Sequence, residues 1–289
     1  MVYDCAIVGS GPAGLEAALN LKIHNKNFIW LGSKNLSDKI RKAERISNYP
    51  GFTNISGAAL IDAFQKQIEE MEIEVTEQMV NQIMPMGESY ALMAGSEFYE
   101  AKTVILTTGV ANKTALPGES EYLGKGVSYC ATCDGGLYRG KTVGVVCNSK
   151  RFEHEVNFLA ELADKVYLFK EYTEPAEVAD NVEIVKAKAT EVVGADKVEK
   201  VLCKDGSEFE VDGIFFLRDS IVLSNLLPNL EAEGGHIKVN RQMETNLKGV
   251  YAAGDCTGRP YQYTKAMGEG NVASHSVVEY LSELAKTQK

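Results

Sequence analysis

The chain's 289 residues fit two domains, each long enough to bury a core. A formal net charge of −10 argues against a nucleic-acid partner, and no apolar run approaches the roughly 20 residues of a membrane span. Six cysteines in this length do not make a secreted disulfide framework, and the start Met1-Val2-Tyr3-Asp4 lacks signal-peptide features, so a cytoplasmic protein is expected.

In chain order, residues 3–8 read as a short apolar strand. A glycine loop follows, then a helix through Leu15, Ala18, Leu19 and Leu21. Residues 28–31 form a second strand, 55–71 carry helical spacing, and 103–106 form a strand ending at Thr107-Thr108-Gly109. The polar stretch 111–121, with Pro117-Gly118, reads as a crossing between domains. A second unit begins at Lys141, with a strand over 143–146, a helix over 152–162 and a strand over 166–169. Short strands follow at 182–185, 198–203 and 208–211, and Asp205-Gly206 suits a hairpin turn. One more strand spans 249–253 before Gly254-Asp255, and a terminal helix runs from about 270 to 284. Strands alternating with helices predict an α/β fold with a doubly wound parallel sheet in each unit.

The loop Gly9-Ser10-Gly11-Pro12-Ala13-Gly14 has the parts of a dinucleotide site. Gly9 permits the tight turn, Gly11 lets backbone approach a pyrophosphate, and Gly14 lets the helix pack on the sheet. The helix start then supplies amide donors and a favourable dipole. The acid that usually holds the adenosine ribose about 20 residues on is missing. The second strand instead ends Leu31-Gly32-Ser33-Lys34, which leaves Ser33 or backbone groups for that contact. In Gly254-Asp255, the carboxylate can accept a hydroxyl from a ribityl chain; an ordinary Asp turn is the competing reading.

Cys130-Ala131-Thr132-Cys133-Asp134-Gly135 places two thiols at i and i+3, a spacing that closes a short disulfide. A helix start nearby would favour the thiolate of one of them. Asp134 stands where it can pass a proton to the leaving thiolate. Half a zinc site and an inert buried pair are the competing readings. With no second CxxC and no paired histidines, redox chemistry is preferred and no metal is expected. Cys5, Cys147, Cys203 and Cys256 read as packed thiols.

These segments, with Asn48-Tyr49-Pro50-Gly51-Phe52, Val127-Ser128-Tyr129, Gly249-Val250-Tyr251-Ala252-Ala253 and Gly268-Glu269-Gly270, resemble the low-molecular-weight thioredoxin reductases along essentially the whole chain. The resemblance implies a homodimer of two Rossmann-like, three-layer ββα domains. It implies a discontinuous FAD domain, residues 1–112 and 244–289, with a redox-disulfide domain inserted at 113–243. FAD contacts are implied for Gly9, Ser10, Gly11, Pro12, Ala13, Gly14, Asn48, Thr108, Gly109, Gly254, Asp255, Tyr261 and Gln262. Gln262 matches the family's flavin-side Gln, but its usual Arg neighbour is Tyr261. Cys130 is implied to attack thioredoxin, Cys133 to face the flavin, and Asp134 to act as the acid. A hinge is expected near 112–117 and 241–246.

The departures are informative. Where the family carries a glycine-rich loop after the second unit's first strand, this chain has Cys147-Asn148-Ser149-Lys150-Arg151. Where the family holds the NADP 2′-phosphate with arginines, it has Lys170-Glu171-Tyr172-Thr173-Glu174. Both losses predict that NADPH is not bound and that the chain resembles the family's pyridine-nucleotide-independent, ferredoxin-linked branch. The partners implied are then ferredoxin as donor and thioredoxin as acceptor. Lys34, Lys39, Arg41, Lys42 and Arg45, the densest basic run, are a candidate ferredoxin surface, with a solvated helix face as the plain alternative. An NAD(P)H-dependent reductase, a reductase with another disulfide substrate or donor, a second flavin in the vacated site, and a flavin-bound redox sensor without turnover are the alternatives.

Overall fold

A continuous apolar run makes the first strand a buried one. Cys5, Ala6, Ile7 and Val8 are each at most 4% exposed, as expected for a strand with both faces covered. The computed structural model describes residues 1–109, 115–129, 131–218 and 226–287, apart from the side chains of residues 38, 39 and 133. Two units are distinguished, residues 1–111 with 226–289, and residues 112–225.

In unit 1, β1 (Val2–Val8) leads to α1 (Pro12–Ile23), β2 (Phe28–Gly32), the short α2 (Asp38–Arg41), α3 (Gly57–Glu70) and β3 (Thr76–Glu77). Ser56 caps α3, its Oγ accepting the Ala59 N–H at 3.2 Å. β4 (Val80–Pro85), β5 (Tyr90–Ala94) and β6 (Glu97–Leu106) form an antiparallel meander. The local sequence pattern marks only the end of β6, residues 103–106. Its first half pairs with β5, and the turn between β4 and β5 carries none of the two-residue signatures that mark a hairpin locally.

Unit 2 contains β7 (Val127–Ser128), α4 (Ala131–Asp134), a 3-10 turn over Gly135–Tyr138, β8 (Thr142–Cys147), α5 (Glu153–Leu162), β9 (Lys165–Lys170) and β10 (Val182–Val185). There follow β11 (Ala189–Gly194), β12 (Val198–Cys203), β13 (Glu208–Glu210) and β14 (Gly213–Leu217). One sheet, ordered β10-β9-β8-β14-β7, is parallel throughout; β11-β12-β13 is a separate antiparallel sheet. The Asp205-Gly206 turn forms as expected, with the Asp205 carboxylate accepting the Ser207 N–H at 3.0 Å. The interior strand β14 shows no strand period in the sequence because all five residues are buried, which erases the two-residue alternation.

The chain returns to unit 1 through β15 (Ala232–Glu233), β16 (His236–Ile237), β17 (Val250–Ala252) and α6 (Tyr263–Thr287). Its sheet runs β3-β2-β1-β6-β5-β4, with β17 parallel to the last part of β6. Leu15 and Leu21 of α1, Trp30 of β2, Leu60 of α3 and Val277 of α6 share one core with Cys5 and Ile7. α6 starts at Tyr263, ahead of the expected start near 270, because Gly268 and Gly270 interrupt the apolar pattern. Gly270 serves the helix crossing: a Cβ there would stand 2.2 Å from the Ala13 carbonyl oxygen of α1.

The chain leaves unit 2 before β15, earlier than the 243/244 boundary read from sequence. Asn246 ties the returning segment together, donating to the Asn229 carbonyl and accepting the Glu231 N–H. Asn240 Oδ1 accepts the N–H groups of Gln242 and Glu244. The expected hinge at 241–246 is therefore a bonded turn inside unit 1, and of the other expected hinge, residues 112–114 lie outside the described residues. Among the described residues no helix is long and apolar enough to cross a membrane.

Candidate functional site

In unit 1 the carboxyl ends of β1 and β6 and the start of α1 surround a cavity of about 290 Å³. Residues 9–13, 107–109, 253–255 and 261–263 line it, together with Leu36, Ser37, Ile40 and Ala266. Eleven of the thirteen residues expected at a cofactor are on this wall: Gly9, Ser10, Gly11, Pro12, Ala13, Thr108, Gly109, Gly254, Asp255, Tyr261 and Gln262. Gly14 lies beneath, where a Cβ would meet the Gly9 carbonyl oxygen at 2.1 Å. Asn48 stands behind Gln262, donating to its Oε1 at 2.8 Å.

The loop is held from the sheet side. The Gly9 carbonyl accepts the Trp30 indole N–H at 2.8 Å and lies 2.9 Å from the Thr107 hydroxyl. The Ser10 hydroxyl accepts the Ser33 N–H at 2.8 Å and donates to the Leu36 carbonyl at 3.3 Å. Ser10 thus anchors the segment that lacks the ribose acid. Ser33 is occupied by the turn, its Oγ accepting the Asn35 N–H.

Three observations fit this cavity to a dinucleotide. No side chain caps the N-terminus of α1, which leaves its amides for an anion. A Cβ on Gly11 would have nothing within 4 Å, so its surface is open on the cavity wall. Among the described residues, the Thr108 hydroxyl is buried there without a hydrogen-bond partner, a group for which a ligand contact offsets the cost of burial.

The Gly254-Asp255 turn is held by two residues whose roles the sequence did not disclose. Glu269 accepts the Gly254 N–H at 2.9 Å and the Thr257 hydroxyl at 2.8 Å. Lys265 pairs with Glu269 at 2.9 Å and donates to the carbonyls of Gly254 and Gly258. The i,i+4 spacing on α6 was the available signal. At the mouth, the Tyr261 hydroxyl lies 2.7 Å from His236 Nε2. Of the basic run, Arg41 is paired with Asp62 at 3.1 Å and Arg45 donates to Asn54, so part of its charge is already engaged.

In unit 2, Cys130 and the side chain of Cys133 lie outside the described residues. Their surroundings are described. Asp134 accepts the Ser128 hydroxyl at 2.7 Å. Ala131 is fully buried against α5 and β8. Tyr129 donates its hydroxyl to Glu119 at 2.9 Å. Glu119 is 0% exposed, and the buried Arg218 guanidinium reaches both of its carboxylate oxygens, at 3.1 and 3.0 Å. Neither residue belongs to a local motif, so sequence reading passed over them. Removing one partner of a buried pair strands the other's charge. Arg218→Met is expected to lower unfolding stability by about 3–5 kcal/mol, with Glu119→Gln/Arg218→Met recovering much of it. Urea unfolding of the single and double variants checks this, and a loss under about 1 kcal/mol for Arg218→Met would contradict it.

The other four cysteines are buried. Burial pushes the Cys5 and Cys256 thiols up to about 12, against weaker opposing hydrogen bonds.

The degenerate loop after β8 is filled by the chain itself. Cys147 is buried, and a 3-10 turn over Lys150–Phe152 leads into α5. The first residue of that helix, Glu153, is 6% exposed. Its carboxylate accepts the Tyr172 hydroxyl at 2.5 Å and the Glu177 N–H at 3.2 Å. Lys150 is paired with Glu177 at 2.6 Å, and Lys170 donates to the Tyr172 and Glu174 carbonyls. Burial, then the Glu153 carboxylate, raises the Tyr172 phenol above its ordinary range.

Residues 3–270 match the family model described as pyridine nucleotide-disulphide oxidoreductase. A thioredoxin reductase of Bacillus subtilis (strain 168) is 32% identical over 308 aligned positions, covering 100% of this chain and 98% of that one. Two crystal structures, each of a ferredoxin-flavin thioredoxin reductase from Clostridium acetobutylicum, are also similar. One is 43% identical with a TM-score of 0.90, covering 99% of both chains. The other is 50% identical with a TM-score of 0.86, covering 97% of this chain and 98% of that one.

Proposed function

We infer that this chain, which belongs to the pyridine nucleotide-disulphide oxidoreductase family and within it to the thioredoxin reductases, reduces the disulfide of thioredoxin with electrons from reduced ferredoxin. FAD is the cofactor of the family. The unit 1 cavity would hold it, with the pyrophosphate against Gly9, Gly11 and the start of α1. Thr108 and Asp255 would take hydroxyl or carbonyl contacts, and Tyr261 and Gln262 would border the ring. Bound flavin supplies one chemistry the side chains lack: it accepts electrons singly and delivers them in pairs.

One observation carries the choice of donor. Glu153 puts a buried carboxylate at the N-terminus of α5, where the family's second nucleotide loop would seat a pyrophosphate. Helix N-termini attract anions, and here the chain provides its own. A second anion would be repelled, and no glycine stands between Cys147 and Arg151 to let phosphate approach. The similarity to the two Clostridium acetobutylicum structures supports the same reading. The direction is downhill: a plant-type ferredoxin lies near about −400 mV and thioredoxin near about −270 mV, a gap worth about 6 kcal/mol for two electrons.

The protein's own residues then perform thiol exchange. The Cys130 thiolate attacks one sulfur of the thioredoxin disulfide and forms a mixed disulfide. The departing thioredoxin thiolate takes a proton from Asp134, which Ser128 holds in place. Cys133 then attacks the Cys130 sulfur, releasing the second thioredoxin sulfur, which is protonated in turn. Thioredoxin leaves as a dithiol, and Cys130-Cys133 remains as a disulfide that two further electrons and two protons restore.

Anaerobic flavin spectroscopy tests the reading. Reduced ferredoxin should bleach the oxidised band near about 450 nm, and oxidised thioredoxin should restore it. NADPH and NADH should leave it unchanged over the same period. Rapid bleaching by NADPH would overturn the donor assignment in favour of an NAD(P)H-dependent thioredoxin reductase.

A further inference from the structure

Tyr261 and Gln262 stand side by side on the wall of the unit 1 cavity, and each is gripped by a residue from another stretch of the same unit. Asn48 donates to Gln262 Oε1 at 2.8 Å. His236, on β16, brings its Nε2 to 2.7 Å from the Tyr261 hydroxyl. The second grip is the less expected. Tyr261 is 39% exposed, and an exposed side chain is ordinarily free to change rotamer.

Several contacts fix this ring. The distance to His236 is that of a good hydrogen bond, and among the described residues it is the only one the His236 ring makes. The Arg259 guanidinium lies over the Tyr261 ring, 5.4 Å from its centroid, within the range of cation–π attraction. His236 is itself seated. It is partly buried on a strand paired with β15, and a Cβ on Gly258 would stand 4.0 Å from its Cγ. The Gly258 carbonyl accepts from Lys265, which also donates to the Gly254 carbonyl. His236 therefore ties Tyr261 to the same turn that presents Asp255 to the cavity.

We propose that His236 is a positioning residue of the cofactor site: it holds Tyr261 so that the ring face Arg259 leaves uncovered packs against the flavin ring. The proposal rests on FAD occupying the unit 1 cavity. Flat aromatic groups gain from stacking when their geometry is fixed. A ring pinned in advance need not be ordered when the flavin binds, so more of that contact appears as affinity. A phenol in contact with a flavin also quenches its fluorescence by electron transfer, which phenylalanine and leucine do not do.

His236→Leu removes the brace, and Tyr261→Phe removes the same hydrogen bond from the other side while keeping a ring. Holoprotein would be diluted and flavin release timed, with the emission of the flavin still bound read in parallel. His236→Leu should release flavin about three- to tenfold faster and raise the bound emission about threefold or more. Tyr261→Phe should speed release by a similar factor. In the Tyr261→Phe background, His236→Leu should change either reading by less than about twofold, because no hydroxyl remains to hold. Glu233→Gln, an exposed change on the paired strand, should alter neither. Both readings within about twofold of the parent for His236→Leu would overturn the proposal. So would an undiminished effect of His236→Leu in the Tyr261→Phe background, which would show that His236 acts through the turn and not through Tyr261. If Tyr261→Leu leaves release and emission unchanged, the flavin does not reach this wall, and the placement of FAD falls with the proposal.

Discussion

Replacing Cys133 with serine is expected to cut thioredoxin reduction by about a thousandfold or more, while the flavin stays bound. A serine hydroxyl cannot close a disulfide with Cys130, so the exchange would stop at the mixed disulfide with nothing to release thioredoxin. Cys130→Ser should be equally inactive, because the attacking thiolate is gone. The cofactor cavity is lined by unit 1 residues and is unaffected by either change. No other thiol is placed to substitute. Burial pushes the Cys5 and Cys256 thiols up to about 12, away from the reactive thiolate, and Cys147 and Cys203 are buried as well. Steady-state disulfide reduction, with the flavin-to-protein absorbance ratio as control, reads both effects. Activity above a tenth of the parent in both variants, about two orders above expectation, would show that reduction bypasses the pair.

Two alanine substitutions in one loop should fail in different ways. At Gly14 the added methyl would lie 2.1 Å from the Gly9 carbonyl oxygen and 2.8 Å from the Thr107 hydroxyl, so backbone must move. Gly14→Ala should therefore lower stability by about 1–3 kcal/mol or more, flavin present or absent. At Gly11 the methyl would have nothing within 4 Å, and the backbone, at φ −75° and ψ −176°, is extended. Gly11→Ala should leave the apoprotein's melting temperature unchanged. Its methyl would instead occupy the approach that a pyrophosphate needs, and flavin affinity should fall about tenfold or more. Melting of the apoproteins and flavin-release measurements separate the two. Flavin retention equal to the parent in Gly11→Ala would mean that the pyrophosphate lies elsewhere.

Much of this protein can be read without coordinates because its motifs are contiguous. The strand-loop-helix from Tyr3 to Leu21, the thiol pair and the Gly254-Asp255 turn each keep their residues within a few bonds of one another. Local rules of conformation and charge are enough to interpret them. The missing glycines at 147–151 were equally plain, since a phosphate loop depends on backbone freedom at fixed positions. The fold class followed from strands alternating with helices, and the structure agrees with it in both units.

What escaped the sequence was decided by residues far apart along the chain. The meander through Val80–Pro85 and Tyr90–Ala94 carries no local turn signature, and Gly213–Leu217 is buried too uniformly to show a strand period. Glu119 and Arg218 are 99 residues apart and meet only once β7 and β14 lie side by side. Glu153 reads as an ordinary helix-start acid until Tyr172 and Glu177 close over it. The sequence by itself determined which chemistry the chain carries, because each motif holds its own reactive groups. Only the tertiary structure decided which charges stand beside those groups and which are cancelled. Coulomb interactions and desolvation depend on distance and burial in space, not on position along the chain.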